Sequence, residues 1–554
     1  ENTAVGRSAL LQNTTANNNT AIGYGALSAN TTANYNTAVG SHSLQDNTTG
    51  TYNTGLGYKA LADSTTGSGN TAVGYGALLL NTTGTGNTAM GQNALEKITT
   101  NSYCTSIGYQ TMYNNTGGSN TALGYKALYA NTTGESNVAV GSYTLDANTT
   151  GASNTAVGQG ALTVATEASN NTAVGAQALH LATTGTQNDG FGLQSLYTNT
   201  TGSYNVAVGA LAGYTLDGGN RNTLVGNSAG SGVTTGSDNT FIGRKAGNST
   251  TTGGQNTALG QDALYTNSTG SWNVALGTQS LNDATTANHN VAVGHQTLYA
   301  NTTGTQNVSI GSHALDALTT ANNDVAIGYL AMTSATTGTK NVAIGTQALN
   351  SLTTGSTNIA IGTEALLDNV ITHGNIAIGQ SALENSVGGG DVSGNNTAIG
   401  HSAGSDNVSG VGNIFVGYNA QGIADDTDFD CTLGNNQINT LRCQVTSITA
   451  LSDERDKTDI VDLPVGLDFL NTLRPVKFTW KHRDPVPHKD GTQKAGFIAQ
   501  ELDKAQIDAG VKDYMKLVED RNPDKLEASQ GHLLPVLVKA IQELSAKVAA
   551  LEAA

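Results

Sequence analysis

The chain has 554 residues, of which 69 are glycine and only 12% are charged, and its formal net charge is −17. This acidic balance argues against a nucleic-acid partner, which requires a basic face, and no apolar run is long enough for membrane insertion. The three cysteines, Cys104, Cys431 and Cys443, are too few for a disulfide framework. The ten histidines show no metal-ligand spacing, so no metal or other cofactor is expected. No secretory signal opens the chain, and we expect Glu1 to follow further residues.

Residues 1–422 repeat with a period of 17. The glycine of "NTAVG" marks each repeat from Gly6 to Gly417, giving 25 copies; only the steps after Gly108, of 16 residues, and after Gly379, of 21, differ. A fixed period over this length is typical of a solenoid. Because 17 residues are too few for a pair of helices, we predict one coil of a β-roll, with two short strands and two turns.

The repeat unit reads N-T-A-V-G-x-x-A-L-x-x-N-T-T-G-x-x, and its residues are called positions 1 to 17 below. In the strand, positions 2 and 4 share one face and the small position 3 points the other way. A strand that is apolar on both faces is buried on both, so we expect these strands to face the roll interior and neighbouring chains. The glycine at position 5 indicates a positive φ or a close approach of two backbones.

Position 9 is a leucine in most coils, at Leu10, Leu27 and so on, which predicts a ladder of core side chains. It becomes Gly213, Gly230 and Gly247 in three successive coils, where we expect the roll to be thinner. The unit resembles the head repeats of trimeric autotransporter adhesins, although its period is longer. That resemblance implies a left-handed β-roll that assembles as a trimer.

Polar residues of the repeat have alternative interpretations. The "NTT" stretches fit the N-glycosylation pattern, but turn closure and hydrogen bonding between coils is favoured. Stacked threonines also allow an ice-binding array, although only one of two adjacent threonines can face outward. Tyrosines that follow the marker glycine, or lie near the second turn, either fill turn corners or stack on sugar rings; they include Tyr24, Tyr58, Tyr75, Tyr109, Tyr125, Tyr129, Tyr197, Tyr265 and Tyr299. The acidic stretch "DDTDFD" is expected to be a solvated turn.

The period fails after Gly417, and residues 423–451 are predicted to form a strand-rich neck. Residues 452–554 differ in character and contain "LRPVKFTWK", "GFIAQEL" and a terminal helix, in that order. Apolar residues of this helix are spaced 3, 4, 3, 4, 3, which indicates a coiled-coil seam. The seam consists of Leu534, Leu537, Ile541, Leu544, Val548 and Leu551.

These blocks resemble the self-cleaving intramolecular chaperone domain of endosialidase type, which ends phage tail spikes and fibres. The resemblance implies a small α+β domain that trimerises, guides folding of the preceding β-rich stalk and then cuts itself off. The family motif, a serine followed by an acidic residue and by a lysine five positions on, matches Ser452, Asp453 and Lys457. It implies cleavage at the Ser452–Asp453 bond with Ser452 and Lys457 as catalytic residues.

The chemistry of that motif is consistent with a serine nucleophile and a lysine base. Lysine acts as a base only when neutral, which burial favours and the adjacent carboxylates oppose; we therefore expect Lys457 to be desolvated only when the trimer closes. A serine attacking its own carbonyl would form a four-membered ring, so either another chain's serine attacks or the cut follows Leu451. Ser452 could otherwise be a helix N-cap in "SDER".

The sequence therefore predicts a homotrimeric tail fibre or spike of a phage-like particle, located on a virion or a cell surface, that attaches to a glycan or protein receptor. Its enzymatic step would be a single self-cleavage, without turnover of an external substrate. The alternatives are a bacterial trimeric surface adhesin and a passive spacer or ice-binding rod.

Overall fold

The computed structural model describes residues 1–387, 394–435, 437–438, 455, 457–479, 493–520 and 526–554. The chain divides into two units, residues 1–363 and 364–554. The first is a parallel β-solenoid, and the second contains further solenoid coils and a small α+β region. The mainly β fold with a 17-residue period is thus confirmed.

Every coil contributes a three-residue strand at positions 2–4, which pairs in register with the strand of the next coil, as Thr20–Ile22 does with Thr37–Val39. The strands of the first unit are β1 Thr3–Val5, β2 Thr20–Ile22, β3 Thr37–Val39, β4 Thr54–Leu56, β5 Thr71–Val73, β6 Thr88–Met90, β7 Thr105–Ile107, β8 Thr121–Leu123, β9 Val138–Val140, β10 Thr155–Val157, β11 Thr172–Val174, β12 Asp189–Phe191, β13 Val206–Val208, β14 Thr223–Val225, β15 Thr240–Ile242, β16 Thr257–Leu259, β17 Val274–Leu276, β18 Val291–Val293, β19 Val308–Ile310, β20 Val325–Ile327, β21 Val342–Ile344 and β22 Ile359–Ile361. Coils are numbered below by their strands.

The second unit continues with β23 Ile376–Ile378, β24 Thr397–Ile399, β25 Ile414–Val416 and β26 Cys431–Leu433, again parallel and in register. β26 lies in the segment predicted as the neck, and Gly434 follows Gly417 by 17 residues. The expectation that the period fails after Gly417 is therefore wrong by one coil, because the markers of this coil, cysteine and an acidic turn, hide its match to the repeat. Cys104 and Cys431 are free thiols, and Cys443 lies outside the described residues.

The predicted second strand of each coil is not a strand. Positions 6–11 form turns whose backbone N–H groups still bond to the next coil, as Leu27 N–H does to the Ser43 carbonyl at 3.1 Å. The reason is the backbone conformation at position 9, where the core leucines have positive φ, +51° at Leu27. A left-handed residue interrupts the pleat of a strand, so this side of the coil is a stack of turns.

The predicted division of the strand faces is correct, and position 3 is the one that lies inside. Ala21 and Ala38 are fully buried, and so are the ladder leucines Leu27 and Leu44. Positions 2 and 4 face outward and are half-buried or exposed in the single chain. In β17–β22 both outward positions are Val, Ile or Leu, so the outer face of these strands is apolar.

The predicted thinning at Gly213, Gly230 and Gly247 is wrong. Coils 14 and 15 carry Leu224 and Phe241 at position 3, and both side chains are fully buried. A Cβ on Gly247 would lie 2.3 Å from the Phe241 ring, and one on Gly230 would lie 2.7 Å from Leu224. The larger strand residue thus fills the space that the leucine leaves.

The marker glycines at position 5 show both predicted features, a positive φ and a close approach of two backbones. Gly23 has φ +133°, and a Cβ there would lie 2.6 Å from the carbonyl of Gly40 in the next coil.

Position 1 forms a second ladder, called the Asn ladder here: the N–H of Asn36 donates to Asn19 Oδ1 at 2.9 Å, and Asn36 Nδ2 donates to the Gly50 carbonyl at 2.9 Å. Asparagine therefore bonds both within and between coils.

The asparagines of the "NTT" stretches are also structural. Asn30, Asn47, Asn81 and Asn131 are fully buried, and Asn30 Nδ2 donates to the Ala33 carbonyl at 3.1 Å. The first threonine hydroxyl donates to the next coil, as Thr48 Oγ1 does to the Thr65 carbonyl at 3.0 Å. These contacts confirm the interpretation as turn closure and hydrogen bonding between coils.

The α+β region contains helices α1 Leu467–Thr472, α2 Ala499–Asp508, α3 Lys512–Met515 and α4 Leu534–Glu552, and a 3-10 turn at Gln530–Leu533. Two antiparallel hairpins accompany them: β27 Val476–Thr479 with β28 Gln493–Gly496, and β29 Val518–Glu519 with β30 Glu527–Ala528. Its core is formed by Phe469, Leu502, Val511, Met515, Leu517, Val518, Leu533 and Val536. No helix among the described residues is long and apolar enough to span a membrane.

Candidate assembly and self-cleavage site

The two sequence blocks of the C-terminal region are neighbours in space. Val476 pairs with Gly496 in the β27–β28 hairpin, which joins "LRPVKFT" to "GFIAQEL". At one end of this hairpin, Arg474 Nε donates to Glu501 Oε2 at 3.0 Å. This contact raises the pKa of the Arg474 guanidinium and lowers that of the Glu501 carboxyl. The ion pair was not identified from the sequence, because the two residues are 27 positions apart.

Two further polar contacts position the helices, and no sequence pattern pointed to either of them. The buried Gln506 of α2 accepts from the backbone N–H of Leu517 through Oε1 at 2.8 Å, which ties α2 to the residue before β29. Glu543 of α4 accepts from the N–H of Leu467 at 2.8 Å. A carboxylate at a helix N-terminus satisfies an unpaired donor and stabilises the helix dipole, so Glu543 fixes α1 against α4.

Helix α4 has two apolar faces. Val536 and Ala540 are 1% and 3% exposed and pack towards the core of this region. The predicted coiled-coil seam lies on another face and is exposed, from 44% at Leu537 to 78% at Leu551. Leu534, Ile541, Leu544 and Val548 have intermediate values in that range. The region's own fold therefore does not cover the seam.

The cleavage residues are only partly placed. Ser452 and Asp453 lie outside the described residues, so the predicted Ser452–Asp453 site and the proximity of Ser452 to Lys457 stay predictions. Lys457 is described and is exposed in the single chain. Among the described residues, no three His, Cys, Asp or Glu side chains are grouped as metal ligands.

A cleft of about 720 Å³ lies between α1, α2 and α4. Phe469, Ala505 and Ala509 form its apolar part, while Arg474 and Glu501 line it with charge. Among its described lining residues the one hydroxyl is that of Thr472, which donates to the Phe469 carbonyl at 2.7 Å. This hydroxyl is therefore engaged in a hydrogen bond within α1.

Comparison with known proteins bears on the C-terminal region alone. No curated protein matches the chain, and no solved structure matches it. One family matches, described as chaperone of endosialidase, over residues 452–511. The match starts at Ser452, the residue predicted for cleavage, and it confirms the resemblance drawn from the sequence blocks. The C-terminal region therefore matches the chaperone-of-endosialidase family over residues 452–511, and it follows a parallel β-solenoid with a period of about 17 residues.

Proposed function

We propose that this chain is a tail-fibre-like attachment protein that works as a homotrimer. Its C-terminal domain would direct trimerisation and folding of the solenoid and then cut itself off near Ser452–Asp453. The observation that carries the proposal is the order of parts: a chaperone-of-endosialidase match begins at residue 452, directly after a long repetitive solenoid and its last strand at Cys431–Leu433. The location would be a virion-type particle or a cell surface.

Two outward apolar surfaces, one half-buried and one exposed in the single chain, support self-association. One is the outer face of β17–β22, where Val274, Ile310 and Ile344 are examples of outward aliphatic side chains. The other is the α4 seam. Contiguous exposed apolar surface marks interaction sites, and identical chains offer identical surfaces to each other. A trimer covers both with the same partner, in agreement with the expectation that strands face neighbouring chains.

A repetitive solenoid has a physical need for a chaperone. Because every coil has nearly the same strand register, a shift by one coil preserves almost all contacts between chains. Bringing three long chains together in register is also slow, since the contacts are not local. A trimerising domain at one end sets both the number of chains and the register.

Self-cleavage would be coupled to assembly through Lys457. A lysine serves as a base when it is neutral, which requires removal from water. The single chain leaves Lys457 exposed, and a neighbouring chain in the trimer would bury it. Cleavage would then occur only in a complete trimer, and it would release the chaperone after its work is done.

The test is the intact mass of freshly expressed protein, with its native assembly sized in parallel. We expect a released fragment of about 102 residues that begins at Asp453, together with a trimeric remainder. Ser452→Ala and Lys457→Ala should both stay uncut and trimeric, whereas Lys477→Ala, an exposed lysine in β27, should cleave normally. Cutting by the Ser452→Ala variant would contradict the proposal.

The N-terminal residue of the fragment distinguishes the two bonds. Asp453 means the Ser452–Asp453 bond and hence attack by a serine from another chain, whereas Ser452 means that the cut follows Leu451. Mixed trimers of wild-type and Ser452→Ala chains would then show whether a chain without the serine is cut by its neighbours.

A bacterial trimeric surface adhesin is the second candidate, since the repeats resemble adhesin heads. It would keep the attachment role but differ in location. Antibody labelling in electron microscopy separates the two: labelled particles support the tail-fibre proposal, and a labelled cell envelope supports the adhesin.

A further inference from the structure

We propose that coils 6–9 carry a binding site for a neutral oligosaccharide, centred on a two-by-two array of tyrosines. This inference rests on the proposed attachment function and places the receptor contact on the molecule. The four residues, called the tyrosine array here, are Tyr109 and Tyr125 at position 6 and Tyr113 and Tyr129 at position 10. Tyr109 and Tyr113 belong to coil 7, the shortened coil of 16 residues.

The rings form two parallel columns. The centroids of Tyr109 and Tyr125 are 5.5 Å apart with an 8° interplanar angle, and those of Tyr113 and Tyr129 are 5.5 Å apart at 9°. Lys126 joins the columns, because its Nζ lies 5.5 Å from the Tyr125 centroid and 5.3 Å from that of Tyr129. The array is therefore one continuous surface.

The tyrosine array is accessible to solvent, and at one end the next tyrosine ring has a different orientation. Tyr109 and Tyr125 are 40% and 42% exposed. Tyr143 of coil 9 follows Tyr125 at 5.2 Å but is turned by 72°, so the two rings meet at a corner. Rings in different orientations can contact a sugar from more than one side, whereas a continued stack would offer only its edges.

Carboxylates with unused bonding capacity flank the second column. Glu96 precedes Tyr113 and accepts from its hydroxyl through Oε1 at 3.4 Å, but Glu96 Oε2 is buried without a partner. Asp146 follows Tyr129, and its Oδ1 is likewise buried without a partner. Burial raises the pKa of the Asp146 carboxyl, and the backbone N–H groups of Asp146 and Ala147, followed by His180 and Lys126, act in the opposite direction. Both carboxylate oxygens can accept a hydrogen bond from a hydroxyl group of a ligand.

The chemistry fits a carbohydrate of no net charge. A sugar ring has apolar C–H groups, which pack on aromatic rings, and hydroxyl groups, which donate to carboxylates; the array offers ring edges and carboxylates side by side. Its charges balance, with Lys97 and Lys126 against Glu96 and Asp146. Lys97 is already engaged, with Nζ 4.8 Å from the Tyr113 centroid and 2.8 Å from Asn114 Oδ1. Nothing in this arrangement favours a polyanion.

The chain offers a matched control. Tyr35 and Tyr52, both at position 17, stack at 5.0 Å and 4° on a different edge of the same solenoid, and they are 51% and 65% exposed. Their stack lacks the bridging lysine and the flanking carboxylates. Removing either pair deletes two stacked rings, so any loss of folding should be similar in both variants.

The experiment measures binding of the full chain to immobilised neutral oligosaccharides of glucose, galactose and N-acetylglucosamine. We expect the wild type to bind at least one, and Tyr125→Ala/Tyr129→Ala to lose about tenfold in affinity, which is about 1.4 kcal/mol. Tyr35→Ala/Tyr52→Ala should bind like the wild type, and Glu96→Gln/Asp146→Asn should bind more weakly. Binding should persist at roughly 1 M salt, because no ion pair carries it.

Three results would overturn the inference: no binding of any neutral oligosaccharide, an equal loss in both tyrosine variants, or binding only to uronic-acid polymers that salt abolishes. Attachment of the same protein to intact cells is measured in parallel. Cells bound without any oligosaccharide binding would leave the attachment function standing with a protein receptor. Absence of cell binding as well would remove both proposals.

Discussion

Asp324 replaces asparagine in the Asn ladder and is the residue whose protonation matters most for the fold. Its Oδ1 accepts from Asn341 N–H at 2.8 Å and from Asn341 Nδ2 at 3.1 Å, while Oδ2 is buried without a partner. In Asn307 and Asn341 the corresponding Nδ2 donates to a carbonyl 14 residues later. The second carboxyl oxygen of Asp324 can donate a hydrogen bond in the same way only when it is protonated.

Stability should accordingly fall as pH rises. Burial raises the pKa of Asp324 from 3.8 to about 7, with the bonds from Asn341 opposing the shift. The folded state then holds a proton that the unfolded state releases, so the stabilisation is complete below about pH 4 and is lost as pH rises through about 7, by roughly 4 kcal/mol. Asp324→Asn should melt like the wild type at about pH 3.5 and well above it at pH 9. The same difference at both pH values would contradict this.

The glycine at position 5 tolerates no larger residue. Gly175 has φ +139°, and a Cβ there would lie 2.3 Å from the Gly192 carbonyl oxygen. Gly175→Ala should therefore destabilise the coil by roughly 3 kcal/mol or more, through strain and backbone displacement together. Gly69→Ala is the matched control, since its nearest atom, Gly86 N, would be 3.9 Å away. Melting temperatures of the two variants measure the difference, and equal values would argue against the close approach.

At the scale of the coil, a large side chain at position 3 compensates for a glycine at position 9. Phe241→Ala alone leaves a cavity and should cost roughly 3–5 kcal/mol, and Gly247→Leu alone should also destabilise, since its Cβ meets the Phe241 ring. Gly247 has φ +59°, close to the +51° of Leu27, so the leucine suits the backbone. The double variant should regain most of the stability, as measured in a double-mutant cycle.

The control for this cycle combines Phe241→Ala with Gly404→Leu. Gly404 lies in a distant coil, where a Cβ would lie 2.4 Å from the ring of Phe415 rather than from that of Phe241. These two changes should add without recovery, and recovery there would mean that the effect is not local.

Helix α4 allows self-association to be separated from folding. Ile541→Lys with Leu544→Lys places two charges in the exposed seam but leaves Val536 and Ala540 in the core. We expect loss of the trimer in sedimentation analysis with unchanged helical circular dichroism. Ala546→Lys, on the exposed face away from the seam, should remain trimeric. A trimeric seam variant would show that α4 is not the assembly contact.

The elements of one repeat were predictable because each position of the repeat has the same physical role in nearly every coil. The strand at positions 2–4, the glycine approach and the leucine ladder all follow from 25 repetitions of the same residues. The compensation by Leu224 and Phe241 was missed because it depends on two positions of the repeat at once. The turns at positions 6–11 were missed because leucine rarely adopts a positive φ. Ser452 and Lys457 were predicted as cleavage residues through resemblance alone. The contact between Arg474 and Glu501 could not be predicted, because the two residues are 27 positions apart.

For the whole molecule, the proposed cleavage means that correct folding depends on whether the C-terminal domain was present while the chain folded. A chain ending at Leu451 and expressed alone has nearly the same sequence as the cleaved product, but it lacks the domain that sets register. We expect it to aggregate, while the cleaved trimer stays soluble and, once unfolded and diluted back, does not refold. Light scattering of the three samples measures this. Spontaneous trimer formation by the short chain would show that the C-terminal domain is dispensable.

The in-register stacking of coils also has a genetic consequence. Each coil bonds only to the coils before and after it, and the strand of any coil presents nearly the same outline to its neighbour. Recombination between misaligned copies within the coding sequence would add or delete 17 codons at a time and still close the ladder. The length of the solenoid can therefore change by unequal crossing-over without the need for new interfaces, while the tyrosine-bearing coils and the C-terminal domain stay unchanged.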